Sequence, residues 1–599
     1  MRSFPAVVAA LLAACSLTLA QTAQPHSTTR HARHPMSAQT ATDLIFFNGI
    51  IYTGAGFAED QPQVVQAIAI RGGKVLAIGK NEEITRLAGP NTHLRDLNSA
   101  STSTFLFPGF NDAHAHLGEG GQTRLNLDLA GVKSLGDMLT KIAAFAQPLA
   151  DGHWITGGRW DHTLWANNVL PTRQDLDKVT DGHPTLLDRV DGHIAIANSA
   201  ALAAAGISGN TVPPQGGAID LDAKGEPTGI LRESAVELVR EVIPLPSAEE
   251  RRRGAELAIE DAIAHGVTSV QDFSNWSDFL AFEQMEKEGK LNVRITEWLP
   301  FAAPVEALKK MRAHHDTNDP MLHTGMLKGF MDGSLGSRTA AMKAPFADDP
   351  GNSGLPQYKQ DELDRMSVER AEAGFQLGFH AIGDKATEMA LDAFSQPHDA
   401  CPDLNVKDKD RQHCRTPVAH NFRDRIEHAQ VVDPADIPRF KQLGVIASMQ
   451  PNHLLTDMNW AEDRLGPQRA AYSYAWKAFL DAGVPLAFGT DYPVEPITPF
   501  RGLYAAVTRK NEAGTKEYYP ANKLTRGQAL AAYTQGSAYA EFAETHKGKL
   551  IPGYDADFIL VDRDLYKVAA PAILQTVVKE TYVNGKKVYP PAQGTEAAQ

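Results

Sequence analysis

Four segments of the chain repeat one grammar: a helical stretch, a glycine, a short apolar run, then a polar residue. Ser247-Ala-Glu-Glu250 has the form of a capping box and opens a helix with apolar Leu257, Ala258, Ala262 and Ile263. That helix stops at Gly266, and Val267 to Val270 follow as a strand ending near Asp272. Arg370 to Gly374 lead into Phe375 to Phe379 and His380, and Phe440 to Gly444 lead into Val445 to Met449 and Gln450. Phe479 to Gly483 lead into Val484 to Phe488 and then Gly489-Thr490-Asp491. Glycine suits the left-handed cap of a helix, and short continuous apolar strands are those buried on both faces of a parallel sheet. Recurring between Ser247 and Asp491, the unit predicts an α/β fold built on a (β/α)8 TIM barrel rather than an open sheet.

The two ends read differently. Leu44 to Tyr52, Val65 to Arg71 and Lys74 to Ile78 are β-type runs punctuated by Asn48-Gly49 and Gly72-Gly73. Asp557 to Asp562 and Val577 to Tyr589 repeat that character, with Asn584-Gly585 as a hairpin turn. The expected organisation is a composite β-sandwich domain from residues 43–107 and 548–592, enclosing a barrel domain at 108–547. Between His116 and Lys328 lie roughly 200 residues, too many for three plain β/α units, so insertions are expected there. That stretch holds Trp154, Trp160, Trp165 and the Gly/Pro-rich run Pro213 to Gly229, to which no role is assigned.

In β/α barrels, active sites lie at the C-terminal ends of the strands. The polar residues just past the apolar runs are therefore the candidates: His114, His116, Asp272, His380, His428 and Asp491. His114 and His116 stand two apart in Pro108-Gly-Phe-Asn-Asp-Ala-His-Ala-His116, so on a strand they project from one side and can share a metal ion.

Three further stretches complete the constellation: Leu327-Lys328-Gly-Phe-Met-Asp332, His380-Ala-Ile-Gly-Asp384 and Ile426-Glu-His428. With Asp332-Gly-Ser-Leu-Gly-Ser-Arg-Thr-Ala340 and Gly489-Thr-Asp491 they fall in an order that resembles the amidohydrolase superfamily. The nearer resemblance is to its branch of N-acyl amide hydrolases related to N-substituted formamide deformylases, and it covers Asp43 to about Tyr589. It implies that His114, His116 and Asp491 hold one metal and that His380 and His428 hold a second. It also implies that Lys328 lies between them as a carbamate formed with carbon dioxide; an unmodified lysine paired with Asp332 or another carboxylate is the alternative, leaving a one-metal enzyme open. One or two zinc ions suit a site of His and carboxylate ligands, with iron or manganese not excluded by sequence. Asp491 is implied as the acid/base that takes a proton from water and gives it to the departing amine. His193, in Asp191-Gly-His193-Ile-Ala-Ile-Ala-Asn198, is implied as a substrate or oxyanion contact, with a packing histidine as the alternative.

The implied activity is hydrolysis of a non-peptide carbon-nitrogen bond in a small linear N-acyl or N-formyl amide. Cyclic amide, carbamate, ester and deamination chemistries use the same kind of site, so they stay open. A catalytically silent binding barrel would be expected to lose ligands, and every ligand type is present. A formal charge of -14 argues against nucleic acid as a partner. Arg2, the apolar run Phe4 to Ala14 and the small residues after it read as an export signal over residues 1–20, followed by a tether at 21–42. Leu12-Ala-Ala-Cys15 resembles a lipoprotein box and would leave Cys15 lipid-anchored in the membrane, whereas cleavage after Ala20 would release a soluble periplasmic or secreted protein. In an oxidising compartment, Cys401 and Cys414 would close the polar segment between them as a disulfide. A homodimer is the default for a soluble barrel.

Overall fold

The computed structural model describes residues 42–98, 104–190, 193–214, 216–396 and 422–591. The expected signal and tether, Cys15, and the Cys401 and Cys414 pair lie outside them.

Eight strands form the central sheet: β1 (Phe110–Ala115), β2 (Val267–Asp272), β3 (Arg294–Pro300), β4 (Leu322–Phe330), β5 (Leu377–Ala381), β6 (Arg425–His428), β7 (Ile446–Met449) and β8 (Leu486–Phe488). Each pairs in parallel with the next in chain order. The ends meet where the Asp491 N–H donates to the His114 carbonyl and the His116 N–H donates to the Tyr492 carbonyl, both at 2.7 Å. This is the expected (β/α)8 barrel. Around it run α1 (Ala248–Ala264), α2 (Trp276–Lys287), α3 (Val305–Arg312), α4 (Gln360–Glu372), α5 (Asp384–Phe394), α6 (Ile437–Leu443), α7 (His453–Asp457) and α8 (Trp476–Asp481).

The repeated grammar has a direct physical counterpart. Gly266, Gly374, Gly444 and Gly483, which follow α1, α4, α6 and α8, all take positive φ, so each chain turn from helix into strand uses a conformation that side chains resist. Ser247 caps α1 in a reciprocal box with Glu250. The strands that follow are buried along their length, as a parallel sheet covered by helices requires.

The residues between β1 and β2 build a separate six-stranded sheet, running from Leu127–Asp128 to Pro227–Arg232. Trp160 and Trp165 fill its core, with their indole N–H groups on the Leu187 and Val132 carbonyls at 2.9 and 3.2 Å. They are packing residues.

Two more sheets use the chain ends. One contains Leu44–Phe47, Ala67–Arg71, Lys74–Gly79 and His93–Asp96. The other joins Ile50–Tyr52, Val64–Val65 and Phe105–Pro108 to Phe558–Val561, Val578–Val583 and Lys586–Tyr589. Phe46 of the first meets Phe558 and Tyr582 of the second edge-on at 5.4 and 5.5 Å, so the two share a core. Gly72-Gly73 and Asn584-Gly585 carry the paired positive φ values of tight hairpin turns.

Arg294 on β3 joins the barrel to the C-terminal strands. Its buried guanidinium donates to Asp557 at 2.6 and 3.0 Å, to Asn584 Oδ1 at 2.8 Å and to the Pro320 carbonyl at 2.7 Å. Removing one partner of such a pair leaves the other charge desolvated and uncompensated. Arg294→Met is therefore expected to lower stability by about 3–5 kcal/mol, read as a fall in the urea unfolding midpoint; an unchanged midpoint would show that the junction does not depend on this ion pair.

Candidate metal centre

The barrel's closing seam brings the polar residues together. His114 lies in β1, and His116 follows it as the cap of the next helix. His116 Nε2 is 3.2 Å and His114 Nε2 3.5 Å from Asp491 Oδ1. The other carboxylate oxygen, Asp491 Oδ2, lies 3.0 Å from His453 Nε2 at the start of α7. His428 completes a second cluster with His453 and Asp491, whose donor atoms fall within 4.8 Å of one another. Asp491 is thus shared between two groups of imidazoles.

Two backbone features aim these side chains. Alternation along β6 sends Arg425 and Glu427 to one face, but His428 takes φ 72°, and its ring comes to 5.0 Å from that of His114. Asp491 has φ 59° just past β8. Left-handed conformations cost such residues about 1–3 kcal/mol and concentrate at functional sites.

Lys328 on β4 is buried, with Nζ 3.0 Å from His114 Nε2 and facing the rings of Phe273, Trp298 and Phe330 at 5.9, 5.4 and 5.1 Å. Burial pushes its amine down to about 8, against the opposing pull of Glu427 and Asp491. Burial, aided by Lys328 for His114 and by His380 for His428, also lowers both imidazoles well below their usual range. They are neutral near pH 7, with lone pairs to offer. Burial opposes ionisation of Asp491, yet His114, His116 and His453 outweigh it and hold the carboxyl well below its usual value. His453 in turn is raised to about 9, because its bond to Asp491 outweighs its burial. The lone pairs of His114 and His428 beside the ionised Asp491 carboxylate, with the His116 and His453 rings at its two oxygens, form a donor set that fits a divalent cation.

Several supporting groups carry no signal in the sequence pattern. His114 Nδ1 is 2.7 Å from Glu427 Oε2, and Arg425 Nε stands 2.8 Å from Glu427 Oε1. This arrangement fixes the His114 ring and leaves Nε2 facing the site. His116 Nδ1 is held likewise by the Phe273 carbonyl at 2.8 Å. Asp112 accepts from the N–H and hydroxyl of Thr490 at 2.9 and 2.5 Å, tying β1 to the segment that carries Asp491. Asp272, a candidate for the rim, accepts from the Leu117 N–H at 2.6 Å and orients the turn after His116. Glu427 lies within β6, and His453 opens α7 three residues past Gln450.

The remaining expected residues sit differently. The His380 ring lies 4.5 Å from that of His428, but its Nε2 is engaged by the Gly333 carbonyl at 3.1 Å, so Nδ1 is the nitrogen it has to offer. Asp332 accepts from the N–H groups of Ala341, Ile382 and Gly383 at 2.9, 3.0 and 2.8 Å, and so braces the loop beside His380 rather than pairing with Lys328. His193 lies on the inserted sheet's side of the chain, exposed and 3.0 Å from Glu233 Oε2.

A parallel β/α barrel with imidazoles and a carboxylate gathered at its strand ends defines a metal-dependent hydrolase. The chain belongs to the amidohydrolase family, whose sequence pattern matches residues 104–589. It is 32% identical over 565 residues to the protein LONG AFTER FAR-RED 3 of Arabidopsis thaliana, covering 92% of each chain. It is also 26% identical over 566 residues to the N-substituted formamide deformylase of Arthrobacter pascens, covering 91% of this chain and 97% of that protein. An uncharacterized metal-dependent hydrolase from Pyrococcus furiosus superposes with a TM-score of 0.70 at 31% identity, covering 88% of this chain and 100% of the other.

Glu427→Gln removes the anion that orients His114 and is expected to weaken metal binding by about 10–100-fold, as loss of such partners does. Competition with a chromogenic chelator measures this; equal affinity in the variant would mean that Glu427 serves only the Arg425 ion pair.

Proposed function

We propose that the protein hydrolyses the carbon-nitrogen bond of a small linear N-acyl or N-formyl amide. The observation that carries this reading is the placement of Asp491, an ionised carboxylate buried at the strand ends with each oxygen facing a different set of imidazoles. The similarity to an N-substituted formamide deformylase supports the amide class.

In this reading His114, His116 and Asp491 would hold one divalent cation, zinc by its donor set, and His428 with His380, whose rings lie 4.5 Å apart, would hold a second, with His453 grouped beside His428 and Asp491. When bound, the cation polarises a carbonyl oxygen and lowers the pKa of a water. Lys328, neutral for part of the time near pH 7 because burial lowers it to about 8, can add to carbon dioxide, losing a proton as the carbamate forms. Asp491 accepts the proton of the attacking water and returns it to the nitrogen as the C–N bond breaks and the C–O bond forms. Phe273 and Phe330, whose rings lie 5.9 Å apart beside Lys328, supply an apolar wall for the acyl or amine substituent. The apolar run Phe4 to Ala14 supports export of the protein to the periplasm or medium.

A screen over N-formyl amines, N-acyl amino acids and aryl amides with zinc and bicarbonate tests the proposal. Turnover is expected on at least one linear amide, and Asp491→Asn is expected to lower kcat by about 10²–10⁴-fold, as loss of a general acid/base does, without loss of fold. Full turnover by that variant, or activity confined to esters or aminated rings, would overturn the reading.

A further inference from the structure

A second group of donors stands on the outside of the barrel, near the N-terminal end of β4 and therefore at the far end of that strand from Lys328. Glu283 and Glu286 lie on one face of α2, and His314, His315 and Asp319 lie in the connection from α3 to β4. Glu286, His315 and Asp319 each offer a ligand atom within 4.8 Å of the others.

The histidine is set as a metal-binding histidine is set. His315 Nδ1 is 3.1 Å from Glu283 Oε1, and the ring rests edge-on against Phe279 at 5.9 Å, which fixes its plane. A ring that donates from Nδ1 to a carboxylate presents the lone pair of Nε2. That Nε2 is buried, has no hydrogen-bond partner, and stands 3.3 Å from Glu286 Oε2 and 3.9 Å from Asp319 Oδ2. A buried ring nitrogen without a partner is costly unless something else occupies its lone pair.

The carboxylates are similarly disposed. Asp319 Oδ1 is spent on the Met321 and Leu322 N–H groups at 2.7 and 3.1 Å, which leaves Oδ2 turned to the histidine. Glu283 has its own cation, Lys287 at 2.8 Å, whereas Glu286 Oε2 and Asp319 Oδ2 converge on His315 Nε2.

We infer that Glu286, His315 and Asp319 form a structural site for a divalent cation of the zinc type, which clamps α2 to the α3–β4 connection. One nitrogen and two carboxylate oxygens suit such an ion, with water completing the shell. Glu283 acts as the partner that orients His315. None of these residues belongs to the centre around Asp491, and the site stands whether or not the amide reading is right.

The test compares the full chain with Glu286→Gln and His315→Gln, each dialysed against zinc chloride and then against zinc-free buffer. Elemental analysis is expected to find one zinc equivalent fewer per chain in either variant, with hydrolytic activity retained, and the zinc-induced rise in Tm is expected to shrink. Equal zinc content and equal Tm shifts in all three proteins would overturn the inference. Hydrogen exchange of the unmodified chain, read by mass spectrometry, covers the case in which a variant fails to fold. Zinc is expected to slow exchange in residues 313–321; unaltered exchange there at saturating zinc would also overturn it.

Discussion

Asp491 is the point on which the structure depends, because it belongs at once to the closure of the barrel and to the candidate metal centre. Its backbone N–H bonds to the His114 carbonyl across the seam between the last strand and the first, and its side chain faces His114 and His116 with one oxygen and His453 with the other. A barrel that failed to close there would separate the groups that together could hold a cation. Asp112 strengthens the same seam from below through Thr490.

Burial then decides the charge state of each group. Desolvation keeps His114 and His428 neutral and brings Lys328 down to about 8, while the imidazoles keep Asp491 ionised. The result is the lone pairs of His114 and His428 beside the ionised carboxylate of Asp491, in a region of low dielectric where the attraction between a cation and that carboxylate is stronger than in water. Glu427, paired with Arg425 and touching His114, holds this arrangement in place from within the barrel.

Much of this was legible in the sequence because it follows local rules. The glycines that end α1, α4, α6 and α8 mark the positive φ turns, and the apolar runs after them mark buried parallel strands. Counting to the end of each run finds His114, His428 and Asp491. What local rules cannot give is the pairing between strands. Glu427 becomes a partner of His114 only because β6 and β1 face each other across the barrel interior, and His453 reaches Asp491 only because α7 follows β7 at the same rim. His428 would even point the wrong way by simple alternation; its positive φ turns it inward, and no residue type announces that conformation. His193, which the resemblance implied as a substrate contact, lies exposed beside Glu233.

The most direct test of the shared carboxylate is a crystal structure of the zinc-saturated protein with anomalous data on both sides of the zinc edge. Zinc density is expected at about 2.0–2.2 Å from His114 Nε2, His116 Nε2 and an oxygen of Asp491, as zinc coordination by His and carboxylate requires. Zinc bound in stoichiometric amount, yet with no anomalous density against Asp491, would contradict the account.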